Sequence, residues 1–199
     1  KIKTLFQPQH IFEGDEPLHI VKSIKMGKFD ERYAQNGIIQ IMASSQVVIK
    51  KGAEINGNEC GLRRDIAMNN DNLSLLQYGH LIDDDSKSNV DGFGGGIIEI
   101  VSSKKDILNY GTLSCDGSNS QFCGGTILIN AMSEFINFGK ISAMPNGRII
   151  VKCKKFTNKG TIQPQPIIIY DEPKPHFCKI YKPWKQIIKN MVKKRKEKK

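Results

Sequence analysis

The middle of the chain repeats one short arrangement of apolar and glycine positions four times. The first unit runs Gly37-Ile38-Ile39-Gln40-Ile41, then Val48-Ile49, then Gly52-Ala53-Glu54-Ile55. The second runs Gly96-Ile97-Ile98-Glu99-Ile100, then Ile107-Leu108, then Gly111-Thr112-Leu113. The third is Gly125-Thr126-Ile127-Leu128-Ile129, Phe135-Ile136 and Gly139-Lys140-Ile141; the fourth is Gly147-Arg148-Ile149-Ile150-Val151, Phe156-Thr157 and Gly160-Thr161-Ile162. The two glycines of a unit stand 15, 15, 14 and 13 residues apart. Each unit predicts three short strands. The first alternates from its second residue, the second starts four residues before the second glycine, and the third follows that glycine. Branched and aromatic residues at these positions suit a pleated, half-buried surface.

Asn109, Asn137 and Asn158 stand two residues before the second glycine of the last three units, where the first unit has Lys50. Asn-x-Gly supplies a corner, because both residues tolerate left-handed backbone. No single unit can bury its apolar face. Stacking units about 4.8 Å apart pairs their backbones as parallel strands and closes a continuous core. The expected fold is therefore all-β, a parallel β-solenoid over residues 37–170. An antiparallel sandwich also has short strands and turns, but the correspondence here is positional rather than merely compositional. The starts of the first two units lie 59 residues apart, about two unit lengths. Either a degenerate unit or an insertion fills residues 63–93.

The Gly-x-Ile-x-Ile … Asn-x-Gly-x-Ile pattern resembles right-handed parallel β-helix proteins, a class with pectin-lyase-like enzymes and adhesin-type scaffolds. The resemblance covers residues 37–62 and 94–163. It implies three parallel sheets around a narrow apolar core, and it specifies architecture rather than activity. Pectin-lyase-like relatives use carboxylates on a solenoid face, sometimes with Ca²⁺ and a basic residue.

The flanks follow other rules. Residues 1–36 carry scattered apolar positions, among them Leu18, Ile20 and Ile24, and read as an N-terminal cap. Five prolines after residue 163 mark a connector that ends ladder pairing. Beyond Pro183, Trp184, Ile187, Ile188, Met191 and Val192 recur at helical spacing, so residues 171–199 read as a Pro-rich connector and a short basic amphipathic helix. The start, Lys1-Ile2-Lys3, has neither Met nor a hydrophobic signal core and reads as an excised or processed segment.

Charge changes the picture only after it is located. The formal net charge is +10, but residues 179–199 hold ten Lys and Arg against Glu197, or +9. The body is nearly neutral, so any polyanion partner belongs to the tail. Trp184, Lys185, Ile188, Lys189, Lys193, Lys194 and Arg195 are its candidate binding residues. They suit a partner protein's groove within a larger assembly, an anionic membrane, or nucleic acid phosphates. Alternatively the apolar stripe covers the open end of the solenoid.

Catalytic chemistry has one candidate. His80, Asp83, Asp84, Asp85 and Asp91 fall in the insertion. Such a cluster could hold Ca²⁺ through oxygen ligands or do acid–base work on a glycosidic bond. Three consecutive aspartates point in different directions, however, which favours a solvated acidic loop. Glu99, Lys140, Lys152 and Lys154 read as ordinary outward residues. The five cysteines are scattered, with no CxxC pair. They suit reduced core or corner thiols, and with them an intracellular setting. Nothing in the pattern calls for a cofactor or a metal. The sequence thus reads as a non-catalytic scaffold or interaction module; the alternative is a carbohydrate-active β-helix enzyme, a polysaccharide lyase or glycoside hydrolase.

Overall fold

A computed structural model describes residues 9–12, 14–28, 37–61 and 92–170. It is a parallel β-helix. Sheet A holds, in spatial order, β1 (Gln9–Phe12), β4 (Ile38–Ala43), β7 (Ile97–Ser102), β10 (Thr126–Ala131), β13 (Arg148–Lys152) and β16 (Ile167–Ile169). Sheet B holds β2 (Leu18–Ile20), β5 (Val47–Ile49), β8 (Ile107–Asn109), β11 (Glu134–Asn137) and β14 (Lys155–Asn158). Sheet C holds β3 (Ile24–Lys25), β6 (Glu54–Asn56), β9 (Thr112–Ser114), β12 (Lys140–Ser142) and β15 (Thr161–Gln163). The described pairings are parallel, which excludes the antiparallel sandwich. Three of the strands, β1 to β3, lie in the segment read from sequence as a cap.

The core is built of rows in which like sits on like. On sheet A, Ile39, Ile98, Ile127 and Ile149 stack in register. On sheet B, Val47, Ile107, Phe135 and Phe156 do so, the two rings stacked with centroids 5.6 Å apart. On sheet C, Ile24, Ile55, Leu113, Ile141 and Ile162 complete the wall. These side chains are inward because alternate strand residues point to one face. Each is too apolar to gain from water and too short a run to bury itself.

The first unit departs from the pattern read in the sequence. Val47, not Val48, opposes Ile107, and Ile49, not Lys50, opposes Asn109. The reason is a longer corner. Lys50 to Ala53 span what Tyr110 and Gly111 span one coil later, and Gly52 turns the tip at φ +85°.

The Asn-x-Gly corner also works differently from the expectation. Among the described residues, positive φ occurs at Gly14, Gly37, Gly52, Glu59 and Asn146, and at no residue of the three Asn-x-Gly corners, 109–111, 137–139 and 158–160. Glycine is required there by crowding. A Cβ on Gly139 would lie 2.0 Å from the carbonyl oxygen of Gly111, and one on Gly160 would lie 2.1 Å from that of Gly139. The asparagines form a ladder. Asn109 Nδ2 donates to Asn137 Oδ1 at 2.8 Å, and Asn137 Nδ2 donates to Asn158 Oδ1 at 2.9 Å. Asn109 Oδ1 and Asn158 Oδ1 accept from the amides of Gly111 and Gly160.

Strands β4, β5 and β6 pair directly with β7, β8 and β9. No other strand lies between them, and residues 62–91, which connect the two coils in sequence and are called the excursion below, lie outside the described residues. The Gly61 amide donates to the Gly94 carbonyl at 2.7 Å, closing the base of the excursion.

Candidate functional site

Gly61 and Gly92, the described residues on either side of the excursion, lie between β6 of sheet C and β7 of sheet A, and polar side chains lock that corner. Asn58 Oδ1 accepts from the Ser114 hydroxyl and from the Asp116 amide at 2.7 Å. Asp116 Oδ1 accepts in turn from the Ser142 hydroxyl at 2.6 Å and the Met144 amide at 2.7 Å. Three successive coils are tied by this chain. Asp116 spends one carboxylate oxygen holding backbone in place, which makes it a positioning group for the corner.

Around the base of the excursion, Gly95 meets the backbone so closely that a Cβ would lie 1.9 Å from the Cys115 carbonyl oxygen. Gly94-Gly95-Gly96 is therefore a tight entry into the coil. Lys28 clamps the same region. Its Nζ lies 3.8 Å from Glu59 Oε2 and 4.1 Å from the centroid of Phe93.

The residues singled out in the sequence as candidate sites, His80, Asp83, Asp84, Asp85 and Asp91 in the excursion and the tail set from Trp184 to Arg195, lie outside the described residues. Of the thiols, Cys60, Cys115 and Cys153 are buried and free. Burial pushes the Cys60 thiol up to about 11 and raises Cys115 and Cys153 as well. A thiol with a raised pKa holds little thiolate at neutral pH, so these three are packing groups and poor nucleophiles. Among the described residues, no three His, Cys, Asp or Glu side chains converge in a way that could hold a metal ion.

Glu99 is the correction. It reads from sequence as an ordinary outward residue, and it does point away from the core, yet it is fully buried. So are Gln40 beside it and Leu128 on its other side. Gln40 Nε2 donates to Glu99 Oε2, while Glu99 Oε1 and Gln40 Oε1 have no partner. Burial raises the Glu99 carboxyl above the ordinary carboxylate range; the Gln40 hydrogen bond and the Lys152 charge act against that rise. Glu99 therefore favours its protonated form in the folded state. Its contribution to stability is full below the ordinary carboxyl pKa and is lost as pH rises through the raised folded value. Glu99→Gln keeps an acceptor for Gln40 and adds a donor for the unpartnered Gln40 oxygen. Thermal melts from pH 4 to 9 are expected to fall less steeply at the alkaline end for Glu99→Gln than for the wild type. Parallel curves would contradict this account of the pair.

No protein-family model, no curated protein and no solved structure matches the chain. The architecture is that of a parallel β-helix, as the resemblance implied.

Proposed function

We propose that this chain is a non-catalytic scaffold, a stiff β-solenoid that binds a partner in a larger assembly through its basic tail. What supports this reading is the uninterrupted in-register stack. Row upon row of isoleucine, phenylalanine and asparagine repeats at one spacing, and the polar corner ladders consume their own hydrogen-bonding groups in holding that spacing. Such an object acts by geometry. The closed base of the excursion at Gly61 and Gly94 and the exit of the chain after Ile169 are separated by three to four strand spacings, about 14 to 19 Å. Segments displayed there are held apart at a fixed distance.

The reading predicts no glycan cleavage. The full chain incubated with a panel of acidic and neutral polysaccharides is expected to release no reducing or unsaturated ends. Release that disappears in Asp84→Ala or Asp91→Ala would instead establish a carbohydrate-active enzyme working through the excursion.

A further inference from the structure

The outward face of sheet B carries an apolar patch that no described element covers. Outward positions on successive strands fall in rows. The middle row runs His19, Val48, Leu108, Ile136 and Thr157, with Val48 buried and Leu108 and Ile136 half-buried. The next row, at the corner towards sheet C, runs Val21, Lys50, Tyr110, Phe138 and Lys159. Its amides from Lys50 onward donate to the preceding coil, at 2.9, 2.8, 2.8 and 2.7 Å. Val21 is 63% exposed, Tyr110 40% and Phe138 39%. Lys50 sets Val21 apart, and the contiguous part of the row is Tyr110 and Phe138, which adjoin half-buried Leu108 and Ile136 of the middle row. Scattered apolar residues on a surface are ordinary, whereas a contiguous patch marks contact with something else.

The rings say what kind of contact. Tyr110 and Phe138 are stacked, with centroids 4.8 Å apart and planes 3° from parallel. Lys159 Nζ sits 5.3 Å from the Phe138 centroid. The ring faces turned to one another are therefore taken, and the other face of Phe138 has Lys159 over it. A sugar ring needs an open aromatic face; packed aliphatic and aromatic side chains of a protein do not.

Charge narrows the partner further. Along the sheet C margin of the patch, Lys22, Lys50, Lys51, Lys140 and Lys159 are exposed against the single acid Glu54. On the opposite margin Glu134 pairs with Lys155 at 3.1 Å and Asp15 with Lys104 at 4.0 Å. An apolar patch with a lysine border fits apolar side chains bordered by carboxylates. The chain's own tail, whose stripe is bordered by lysine, repeats the wrong charge, and so does a second copy of this face.

We infer that the outward face of sheet B, centred on Tyr110 and Phe138, docks an acidic amphipathic segment of a partner protein. This rests on the reading of the chain as a scaffold and names a second contact beside the tail. The test uses the full chain and a fluorescein-labelled amphipathic peptide of about 18 residues, five helical turns, with Leu and Phe on one side and Glu on the other. A matched peptide carries Lys for Glu.

The acidic peptide is expected to bind and the basic one not. The double variant Tyr110→Ser/Phe138→Ser should weaken binding roughly tenfold or more, as loss of buried aromatic anchors does. Lys50→Glu/Lys159→Glu should weaken it and flatten its salt dependence. Trp184→Ser should leave it unchanged. Cooperative melts confirm that each variant is folded.

Absence of binding to the wild type, equal binding of the basic peptide, or loss only in Trp184→Ser would overturn the inference. Self-association in sedimentation that vanishes in Tyr110→Ser/Phe138→Ser would overturn it in favour of a second copy. Any of these results with no cleavage of polysaccharides leaves the scaffold reading standing, whereas cleavage would remove that reading whatever the peptides do.

Discussion

Replacing Ile127 by aspartate abolishes cooperative folding. Ile127 is fully buried in β10, with Ile98 and Ile149 directly opposite it on the neighbouring strands. Removing the aliphatic side chain forfeits about 2 to 3 kcal/mol of burial. An unpaired carboxylate in that place costs several kcal/mol more, because no cationic group belongs to the inward row. The sum is of the order of the whole stability of an ordinary domain, about 5 to 15 kcal/mol. The solenoid offers no escape, since the introduced carboxylate can leave the core only by slipping the strand one residue, which turns every side chain of β10 over. Far-UV circular dichroism during heating should show no cooperative transition. The control, Ile127→Val, should cost about 1 kcal/mol and melt normally. A near-normal melt for the aspartate variant would contradict the placement of Ile127 in the stacked core.

The second large effect lies in the asparagine ladder. Asn137→Ala removes the middle rung. Asn109, itself fully buried, loses the acceptor of its side-chain amide, and water cannot take the vacated place without opening the corner. An unsatisfied buried donor costs about 1 to 3 kcal/mol, and the two lost ladder bonds add about 1 kcal/mol each, so a loss of about 3 to 5 kcal/mol is expected. Asn158→Ala removes the terminal rung, which is exposed, and the Asn137 side-chain amide keeps its 3.3 Å bond to the Gly139 carbonyl, so the cost should be about 1 kcal/mol. Urea denaturation of the two variants checks the difference. Equal losses at the two positions would mean that the ladder is not what holds this corner.

Much of the architecture was legible because repetition makes a local pattern positional. Gly-Ile-Ile-Gln-Ile at residues 37–41 and Gly-Ile-Ile-Glu-Ile at residues 96–100 align strand with strand and face with face. What failed at the first unit was counting from Gly52, whose position depends on a corner two residues longer than the others. Leu18, Ile20 and Ile24 carry the spacing of Ile107, Asn109 and Leu113, but no glycine marks them, so the segment reads from sequence as a cap of strands and irregular chain rather than as a further coil.

The Asn-x-Gly corner was found for a reason that turned out to be secondary. Crowding between coils is a property of the stack and cannot be seen in one unit. Glu99 was missed for a related reason. Alternation assigns it outward, and outward ordinarily means solvated. A hint was present, since Leu128 and Ile150 occupy the same outward position in the next two units, and apolar residues there signal a covered face. The aromatic pair was hidden by distance, because Tyr110 and Phe138 meet only when their coils stack. The candidate residues of the excursion and the tail belong to segments outside the described residues, where the sequence repeat gives no positional guide.

The claim at the centre of this account is that the solenoid holds points on its surface at fixed separation. A spin-label distance measurement tests it most directly. Val21 and Lys159 are exposed members of one corner row, next to β2 and β14 at the two ends of sheet B. With Cys123 and Cys178 replaced by serine and the three buried thiols left in place, labels are attached at Val21→Cys and Lys159→Cys. The account predicts a single narrow distribution. Its centre should match four strand spacings, about 19 Å between the backbone positions, extended by the labels. It should not move when a binding partner is added. A broad distribution, or a centre far from that value, would contradict the rigid parallel stack.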